Sequence, residues 1–154
     1  MIRGINMHLE YGNSEDIVSW MELVNYVSSN FPGLETSDKI EEHKNTVLRF
    51  MERKEALCVK YDEKIVGVLL FSTKHNMICC LAVLPDYRRK GIASMLLVEA
   101  LSKLDRERAI TVSTFRKEDI KGVAPRALYK KFGFVESKLI EEFGYPNQEF
   151  ILFP

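Results

Sequence analysis

The sequence has no excess of either charge. Its 154 residues include 22 lysines and arginines and 22 aspartates and glutamates, so the formal net charge is zero. A protein dedicated to nucleic acid is normally basic overall, and we therefore expect no nucleic-acid partner. Disorder requires low hydrophobicity and high net charge, whereas 46% of these residues are hydrophobic. At this length we expect one folded domain over residues 1–154.

Long hydrophobic runs are also missing. No stretch approaches the roughly 20 apolar residues that a membrane-spanning helix needs. The first eight residues contain no apolar run of the length found in signal peptides. These absences lead us to expect a cytoplasmic protein with no membrane partner.

Cysteine is scarce, with Cys58, Cys79 and Cys80 as its three examples. An odd count in a chain of this length argues against a disulfide framework. Cys79 and Cys80 are adjacent in a strand-like run, so their side chains should point to opposite faces and cannot share one metal ion. No Cys or His pair has zinc-ligand spacing, and no metal is expected. We expect buried structural thiols in a reducing compartment.

The hydrophobic pattern predicts the element order β-α-α-β-β-β-α-β-α-β-β. Asn13 and Ser14 are candidate caps for the first helix, and Thr36, Ser37 or Asp38 for the second. The predicted strands cover 2–9, 56–61, 65–71, 77–84, 109–114, 134–140 and 148–153, and the predicted helices cover 17–27, 40–51, 92–104 and 124–132. The apolar run 77–84 is typical of a central strand buried on both faces. The fold class is therefore α/β (α+β), a single domain with a central mixed β-sheet flanked by helices.

The zero net charge conceals an uneven distribution. Residues 1–84 carry 9 basic and 12 acidic side chains, residues 85–131 carry 12 and 6, and residues 132–154 carry 1 and 4. A basic middle segment indicates either an anion site or an ordinary solvated surface, and charge alone leaves both open.

The loop Arg88-Arg89-Lys90-Gly91-Ile92-Ala93 favours the anion site. It lies between a predicted buried strand and a predicted helix, whose N-terminus offers free backbone N–H groups and the positive end of the helix dipole. Gly91 and Ala93 lack bulk, so backbone amides can approach a phosphate closely. The loop has neither the Walker A pattern nor the Gly-x-Gly-x-x-Gly of dinucleotide-binding folds.

Two motifs carry a resemblance to a known family. The stretch Leu-Ala-Val-Leu-Pro-Asp-Tyr-Arg-Arg-Lys-Gly-Ile-Ala-Ser-Met-Leu-Leu over residues 81–97 resembles the acetyl-CoA-binding motif of the GCN5-related N-acetyltransferases. Arg88, Gly91 and Ala93 satisfy that family's Arg/Gln-x-x-Gly-x-Gly/Ala. The stretch Ala-Leu-Tyr-Lys-Lys-Phe-Gly-Phe over 127–134 resembles the family's later motif. Both motifs occur in the family's order, and the predicted elements extend the resemblance over essentially the whole chain.

The resemblance implies a fold, an activity and a set of site residues. It implies a GNAT-like acyl-CoA N-acyltransferase that uses acetyl-CoA, with no metal, to acetylate a small-molecule or peptide amine. By the same resemblance, the backbone of Leu81, Ala82 and Val83 would bind the pantetheine arm. Tyr129 would protonate the departing thiolate, a role that suits a phenol of pKa about 10. The pyrophosphate would be held by Arg88, Arg89, Lys90, Gly91, Ile92, Ala93 and Ser94.

The chain departs from the family's pattern at two positions. Gly122 stands where many members have Asn, and Pro125 stands where a small Ala is common. Proline fits a first helical turn, so a helix is still expected there. The missing Asn weakens the expectation of contacts near the pantetheine and sulfur. Homodimers are common in the family, and a homodimer is left open here.

The general base and the acceptor site are not identified by a motif. A family-typical Glu is missing from the strand 77–83. We expect the two N-terminal helices and the last hairpin to build the acceptor site, with Trp20, Tyr26, Phe31 and Tyr145 either lining a pocket or packing in the core. The acidic balance of both regions suits a cationic amine. The candidate bases, each of which can equally be an ordinary surface residue, are His43, His75, Glu41, Glu42, Glu141, Glu142 and Glu149.

The sequence leaves three hypotheses for the function. The first is an N-acetyltransferase with direct transfer, in which Cys79 or Cys80 as an acyl carrier is the weaker alternative to core packing. The second is a non-catalytic acyl-CoA sensor or interaction module on the same fold. The third is a nucleotide- or nucleic-acid-binding protein that uses the basic segment, which the zero net charge disfavours. Retention of Tyr129 favours the enzyme over the sensor.

Overall fold

The computed structural model describes residues 6–154 and contains one seven-stranded sheet with four α-helices in that range. The predicted element order is confirmed. Residues 2–5 of the first predicted strand lie outside the described residues. The strands are β1 Met7–Tyr11, β2 Ala56–Tyr61, β3 Lys64–Ser72, β4 Met77–Val83, β5 Ile110–Phe115, β6 Val135–Glu142 and β7 Tyr145–Leu152, and the helices are α1 Ile17–Val27, α2 Ser37–Glu52, α3 Ile92–Lys103 and α4 Val123–Lys131.

The strands lie in the order β1-β2-β3-β4-β5-β7-β6. The pair β4–β5 is parallel and the other neighbours are antiparallel, so the predicted mixed sheet is confirmed. The last strand, β7, inserts between β5 and β6. Strands β4 and β5 are paired at one position, where Met77 lies opposite Thr111. The sheet is therefore open between β4 and β5 beyond this pair.

Local side-chain caps explain where two helical segments begin, namely the 3₁₀ turn Ser14–Asp16 that leads into α1 and the helix α2. The Asn13 side chain accepts a hydrogen bond from the Glu15 amide at 2.9 Å, and Asp16 reaches back to the Asn13 amide. Thr36 caps α2 by accepting from the Lys39 amide at 3.2 Å. Of the three predicted caps for the second helix, the structure uses Thr36, because its backbone is extended just before the helix.

The core surrounds β3, which is buried from Ile65 to Ser72. Helices α1 and α3 both contact this strand. A methyl group on Gly67 would lie 2.6 Å from Cγ2 of Ile92, so the missing side chain allows the start of α3 to pack closely on the sheet. The sequence pattern predicted that the strand 77–84 is buried on both faces. This prediction is wrong, because β3 is the strand buried on both faces and β4 is partly exposed.

The predicted burial of the thiols is wrong for one of the three cysteines. Cys58 is buried in the core, Cys80 is half-buried and Cys79 is exposed. The register explains the difference, because Leu70 pairs with Cys80 and Phe71 pairs with Ile78, so Cys79 is an extra residue in a β-bulge. Val18 of α1 and Val98 of α3 are also exposed.

Candidate active site at the β4–β5 cleft

The gap between β4 and β5 forms the cleft around which the predicted site residues lie. Leu81, Ala82 and Val83 pair with Leu69, Val68 and Gly67 of β3 on one side. On the other side β5 has already diverged, so the outward backbone groups of these residues have no strand partner. Such an open strand edge can bind an extended chain through backbone hydrogen bonds. The structure thus gives the predicted pantetheine-binding segment a free edge.

The predicted anion-binding loop of residues 88–93, the phosphate loop, lies between the end of β4 and the first turn of α3. A short 3₁₀ turn, Pro85–Tyr87, precedes it. Gly91 is the N-cap of α3 and has φ of 79°, a left-handed conformation that glycine adopts without strain. A methyl group there would meet nothing within 4 Å. The amides of Ile92, Ala93 and Ser94 open the helix and have no intrahelical acceptor. The loop therefore offers free N–H groups together with open space for an anion.

The basic side chains of the loop add charge at the same place. Arg88, Arg89 and Lys90 are all exposed and adjacent to the first turn of α3. Arg88 donates from Nε to the carbonyl oxygen of Val83 at 3.2 Å, which leaves its two terminal nitrogens available. The seven predicted pyrophosphate-binding residues are therefore brought together, and one of them also orders the end of β4.

Tyr129 projects from α4 into the interior between the two halves of the sheet. Its ring packs against Phe134 and Phe150, with centroids 5.7 and 6.3 Å away, and it is almost fully buried. Burial raises the pKa of Tyr129 well above its ordinary value, and the thiol of Cys80 raises it further. The phenol therefore stays protonated and faces β4, which suits a proton donor.

A buried arginine that the sequence reasoning missed anchors α4. Arg126 donates to the Phe115 carbonyl oxygen at 3.0 Å and to Oε1 of Gln148 at 2.8 Å, and it forms an ion pair with Glu136. Its guanidinium also lies 4.9 Å from the centre of the Phe150 ring. The sequence could have indicated this role, because Arg126 lies about one helical turn before Tyr129 and therefore on the face of α4 that packs against the sheet.

The Gly122 departure has a packing explanation. A methyl group on Gly122 would lie 3.1 Å from both Cδ of Arg126 and Cβ of Phe115, and 3.2 Å from the carbonyl oxygen of Arg116. The buried glycine thus leaves the room that the Arg126 side chain occupies. Gly122 and the Arg126 side chain thus pack together at the place where many family members have Asn.

The candidate bases are scattered, and the structure brings few of them near the cleft. His43 is half-buried on α2, where burial lowers its pKa. His75 is exposed in the turn between β3 and β4. Glu142 and Glu149 are half-buried in the last hairpin. Glu142 is one of the carboxylates whose charge reaches Cys79 of β4. Three other candidates are exposed, namely Glu41, Glu42 and Glu141.

The four aromatic candidates for the acceptor pocket have different locations. Trp20 is a core residue and lines no pocket, because it is 1% exposed. Phe31 is half-buried against the core. Tyr26 lines a cavity of about 290 Å³ between α1 and the Leu84–Tyr87 segment. Tyr145 donates from its hydroxyl to Oδ2 of Asp119 at 2.6 Å.

The loop between α1 and α2 meets the last hairpin, as the acceptor-site prediction requires. A methyl group on Gly33 would lie 2.9 Å from Cγ of Phe143, so the Phe143 ring lies directly against this glycine. Lys121 donates to the Ser29 carbonyl oxygen at 3.4 Å. A second cavity, of about 430 Å³, is lined by Tyr87 and Lys90, and neither cavity is lined by Tyr129 or by residues 79–83.

The described range holds neither a candidate metal-binding cluster nor a helix that could span a membrane. Residues 6–154 hold no cluster of three or more His, Cys, Asp or Glu side chains arranged for a metal ion. Of the helices in that range, none combines the length and apolarity required to span a bilayer.

Comparisons with known proteins were made for both sequence and structure. A family model described as the acetyltransferase (GNAT) domain matches residues 52–136. No curated protein matches the sequence.

Solved structures share the fold at low sequence identity. A GNAT-family acetyltransferase from Bacillus cereus ATCC 10987 is 22% identical, with a TM-score of 0.73 over 94% of this chain and 95% of that one. PaiA N-acetyltransferase from Thermoplasma acidophilum, solved with coenzyme A, is 16% identical, with a TM-score of 0.67 over 94% and 98%. YncA from Salmonella typhimurium, solved with acetyl-CoA, is 14% identical, with a TM-score of 0.71 over 94% and 91%.

Proposed function

Because the chain belongs to the GNAT acetyltransferase family, we propose that it is an acetyl-CoA-dependent N-acetyltransferase. It transfers the acetyl group directly to a primary amine of a small molecule or peptide. The observation that carries the proposal is the divergence of β4 from β5 after the Met77–Thr111 pair. This divergence opens a cleft that has the phosphate loop at the end of β4 and the Tyr129 phenol facing that strand.

Each part of the cleft has a distinct role in binding acetyl-CoA. The open edge of Leu81, Ala82 and Val83 binds the pantetheine arm through backbone hydrogen bonds. The residues from Arg88 to Ser94 bind the pyrophosphate with free amides and charge-assisted contacts. This assignment is supported by the αL conformation of Gly91 and by the exposure of the three basic side chains.

Tyr129 supplies the proton that the leaving group needs. The neutral amine attacks the thioester carbon, the C–S bond breaks, and the Tyr129 hydroxyl donates its proton to the departing sulfur. The amine loses one proton in the same reaction, to solvent or to a base. Burial raises the pKa of Tyr129, so the phenol holds its proton until the departing thiolate takes it.

The proposal is tested by ligand binding and then by turnover. Acetyl-CoA and CoA should each raise the melting temperature of the protein in proportion to the logarithm of their concentration, whereas ATP should have a smaller effect. CoA release should then depend on added amine. Absence of any shift with acetyl-CoA and CoA would reject the proposal. Binding without turnover across a broad amine panel would favour the acyl-CoA sensor.

A further inference from the structure

The last hairpin contains a buried hydrogen-bond acceptor that has no donor. Asn147 lies on β7 and is 6% exposed. Its Nδ2 donates to Oε1 of Glu142 at 3.3 Å, which fixes the orientation of the amide. Among the buried side-chain nitrogen and oxygen atoms of residues 6–154, Oδ1 of Asn147 is the one without a partner. An unpaired buried carbonyl is costly, so the missing donor requires an explanation.

The register places this oxygen beside carboxylates. Ile140 pairs with Asn147 and Glu142 pairs with Tyr145, so Asn147 and Glu142 lie on the same face of the hairpin. Glu149 follows Asn147 by two residues and therefore shares that face. Helix α4, with Arg126 on Gln148, covers the opposite face. One corner of the sheet thus holds the half-buried Glu142 carboxylate next to the Asn147 amide, whose oxygen is buried and unpaired.

This corner adjoins the proposed reaction cleft. The charge of Glu142 contributes to the raised pKa of the thiol of Cys79, the bulged residue of β4, so the two side chains are near one another. The next residue, Phe143, lies against Gly33 in the loop between α1 and α2. The corner is therefore enclosed by the segments expected to build the acceptor site.

Cationic side chains around this corner already have partners. Lys121, whose Nζ lies 5.7 Å from the centre of the Tyr145 ring, donates to the Ser29 carbonyl oxygen at 3.4 Å. Arg116 donates to the carbonyl oxygens of Asn147 and Ile140, at 3.0 and 2.9 Å. Arg53 donates to Oε1 of Glu55 at 2.9 Å. In the described part of the chain, none of these cations donates to Glu142 or to Oδ1 of Asn147. A group with several N–H donors and a positive charge would satisfy both acceptors at once.

We propose that Glu142 and Asn147 bind an ammonium group of the acceptor that is not the reacting amine. The chemistry separates the two amines. A carboxylate and a carbonyl oxygen stabilise the charged form of an amine, whereas the attacking amine must be neutral. The inference rests on the proposed acetyltransferase function and narrows its substrate class to amines that carry a second cationic group.

The test compares matched acceptors and matched variants. The acceptors are the α,ω-diamines of two to six carbons, each paired with the monoamine of the same chain length. The variants are Glu142→Gln, which keeps the shape and can still accept from Asn147, and Glu141→Gln. Glu141 is exposed and pairs with Pro146, on the other face of the hairpin. CoA release gives kcat and KM, and calorimetry on the CoA-loaded protein gives the affinity of each amine.

The wild-type protein should prefer at least one diamine over its monoamine. Glu142→Gln should reduce that preference about tenfold through KM, with kcat nearly unchanged, and Glu141→Gln should retain it. Equal preference in Glu142→Gln and wild type, or no diamine preference in either turnover or binding, would overturn the inference. If monoamines are still acetylated, that result leaves the proposed function intact. The proposed function itself fails if neither acetyl-CoA nor CoA binds.

A second variant distinguishes binding from a purely structural role. Asn147→Leu removes the unpaired carbonyl and fills similar space. It also removes the Nδ2 hydrogen bond to Glu142, which is long at 3.3 Å. It should lose the diamine preference with a melting temperature close to that of wild type, because removal of the unpaired buried oxygen offsets the loss of that bond. A lower melting temperature with an intact preference would mean that Asn147 serves the fold alone, and would overturn its part in the site.

Discussion

Arg88 donates a hydrogen bond from Nε to the Val83 carbonyl oxygen at 3.2 Å and thereby ties the phosphate loop to the last residue of β4. The same side chain therefore holds the strand end and presents its terminal nitrogens to solvent. Loss of Arg88 should disturb both the anion site and the strand edge next to it.

We expect Arg88→Ala to weaken CoA binding by about 10- to 100-fold, the value of one charge-assisted hydrogen bond of about 1.5–3 kcal/mol. Arg88→Lys should recover only part of the affinity, because a lysine cannot bond Val83 and a phosphate in the same fork geometry. Calorimetry with CoA measures both variants, and Lys74→Gln, an exposed change in the β3–β4 turn, is the control. A dissociation constant for Arg88→Ala within twofold of wild type would contradict the assignment.

Tyr129→Phe should lower kcat by about 10²- to 10⁴-fold, the usual contribution of general acid catalysis. CoA affinity should stay unchanged, since phenylalanine keeps the ring contacts with Phe134 and Phe150. Steady-state kinetics and calorimetry measure the two effects separately. Unchanged kcat in this variant would exclude the acid role.

The raised pKa of Tyr129 also predicts a pH dependence of stability. Burial favours the neutral phenol in the folded state, so the folded pKa lies above the unfolded value of about 10. The unfolded chain therefore releases its proton first, and the free energy of unfolding falls as pH rises above about 10. Urea unfolding from pH 8 to 11 should show a steeper loss in wild type than in Tyr129→Phe. Parallel curves would contradict the prediction.

Cys79 should be the first thiol to react with iodoacetamide in the native protein, but it should react slowly. It is exposed, whereas Cys58 is buried. Desolvation by the surrounding residues, followed by the charge of Glu55, raises the pKa of Cys79 to about 11, so the thiolate is a minor species at pH 8. The alkylation rate should rise about tenfold per pH unit from 7 to 10 and should fall when acetyl-CoA occupies the cleft. Mass spectrometry with Cys79→Ser as the control measures this, and initial labelling at Cys58 would contradict it.

Gly122→Asn, which restores the residue common in the family, should destabilise this protein by about 1–3 kcal/mol. The φ of Gly122 is −85°, so the cost comes from packing against Arg126 and Phe115 rather than from backbone strain. Urea unfolding measures the difference, with Ala124→Asn at an exposed position of the same helix as the control. Wild-type stability combined with higher turnover would show that Arg126 and Gly122 are not coupled.

The predicted site residues that lie together in the structure are contiguous in the chain. Arg88 to Ser94 form one loop and one helical turn, so neighbours in sequence are neighbours in space. The caps and strand limits also follow from residues within a few positions of one another, as Thr36 and Lys39 illustrate. The burial of individual residues was predicted less well, because it depends on what covers them. Trp20 is enclosed by the core, and Cys79 is exposed at a bulge.

The sequence by itself determined the element order, the mixed sheet, the phosphate loop and the position of Tyr129 in its helix, because each depends on short-range spacing and turn chemistry. The tertiary structure alone decided that β7 inserts between β5 and β6, that Arg126 is buried over Phe150, and that Asn147 lies beside Glu142 with one oxygen unpaired. These features join residues from 5 positions apart, as for Glu142 and Asn147, to 42 apart, as for Ile110 and Leu152, through strand register and close packing. A one-residue change of register would move every side chain of a strand to the other face, and local patterns do not contain that information.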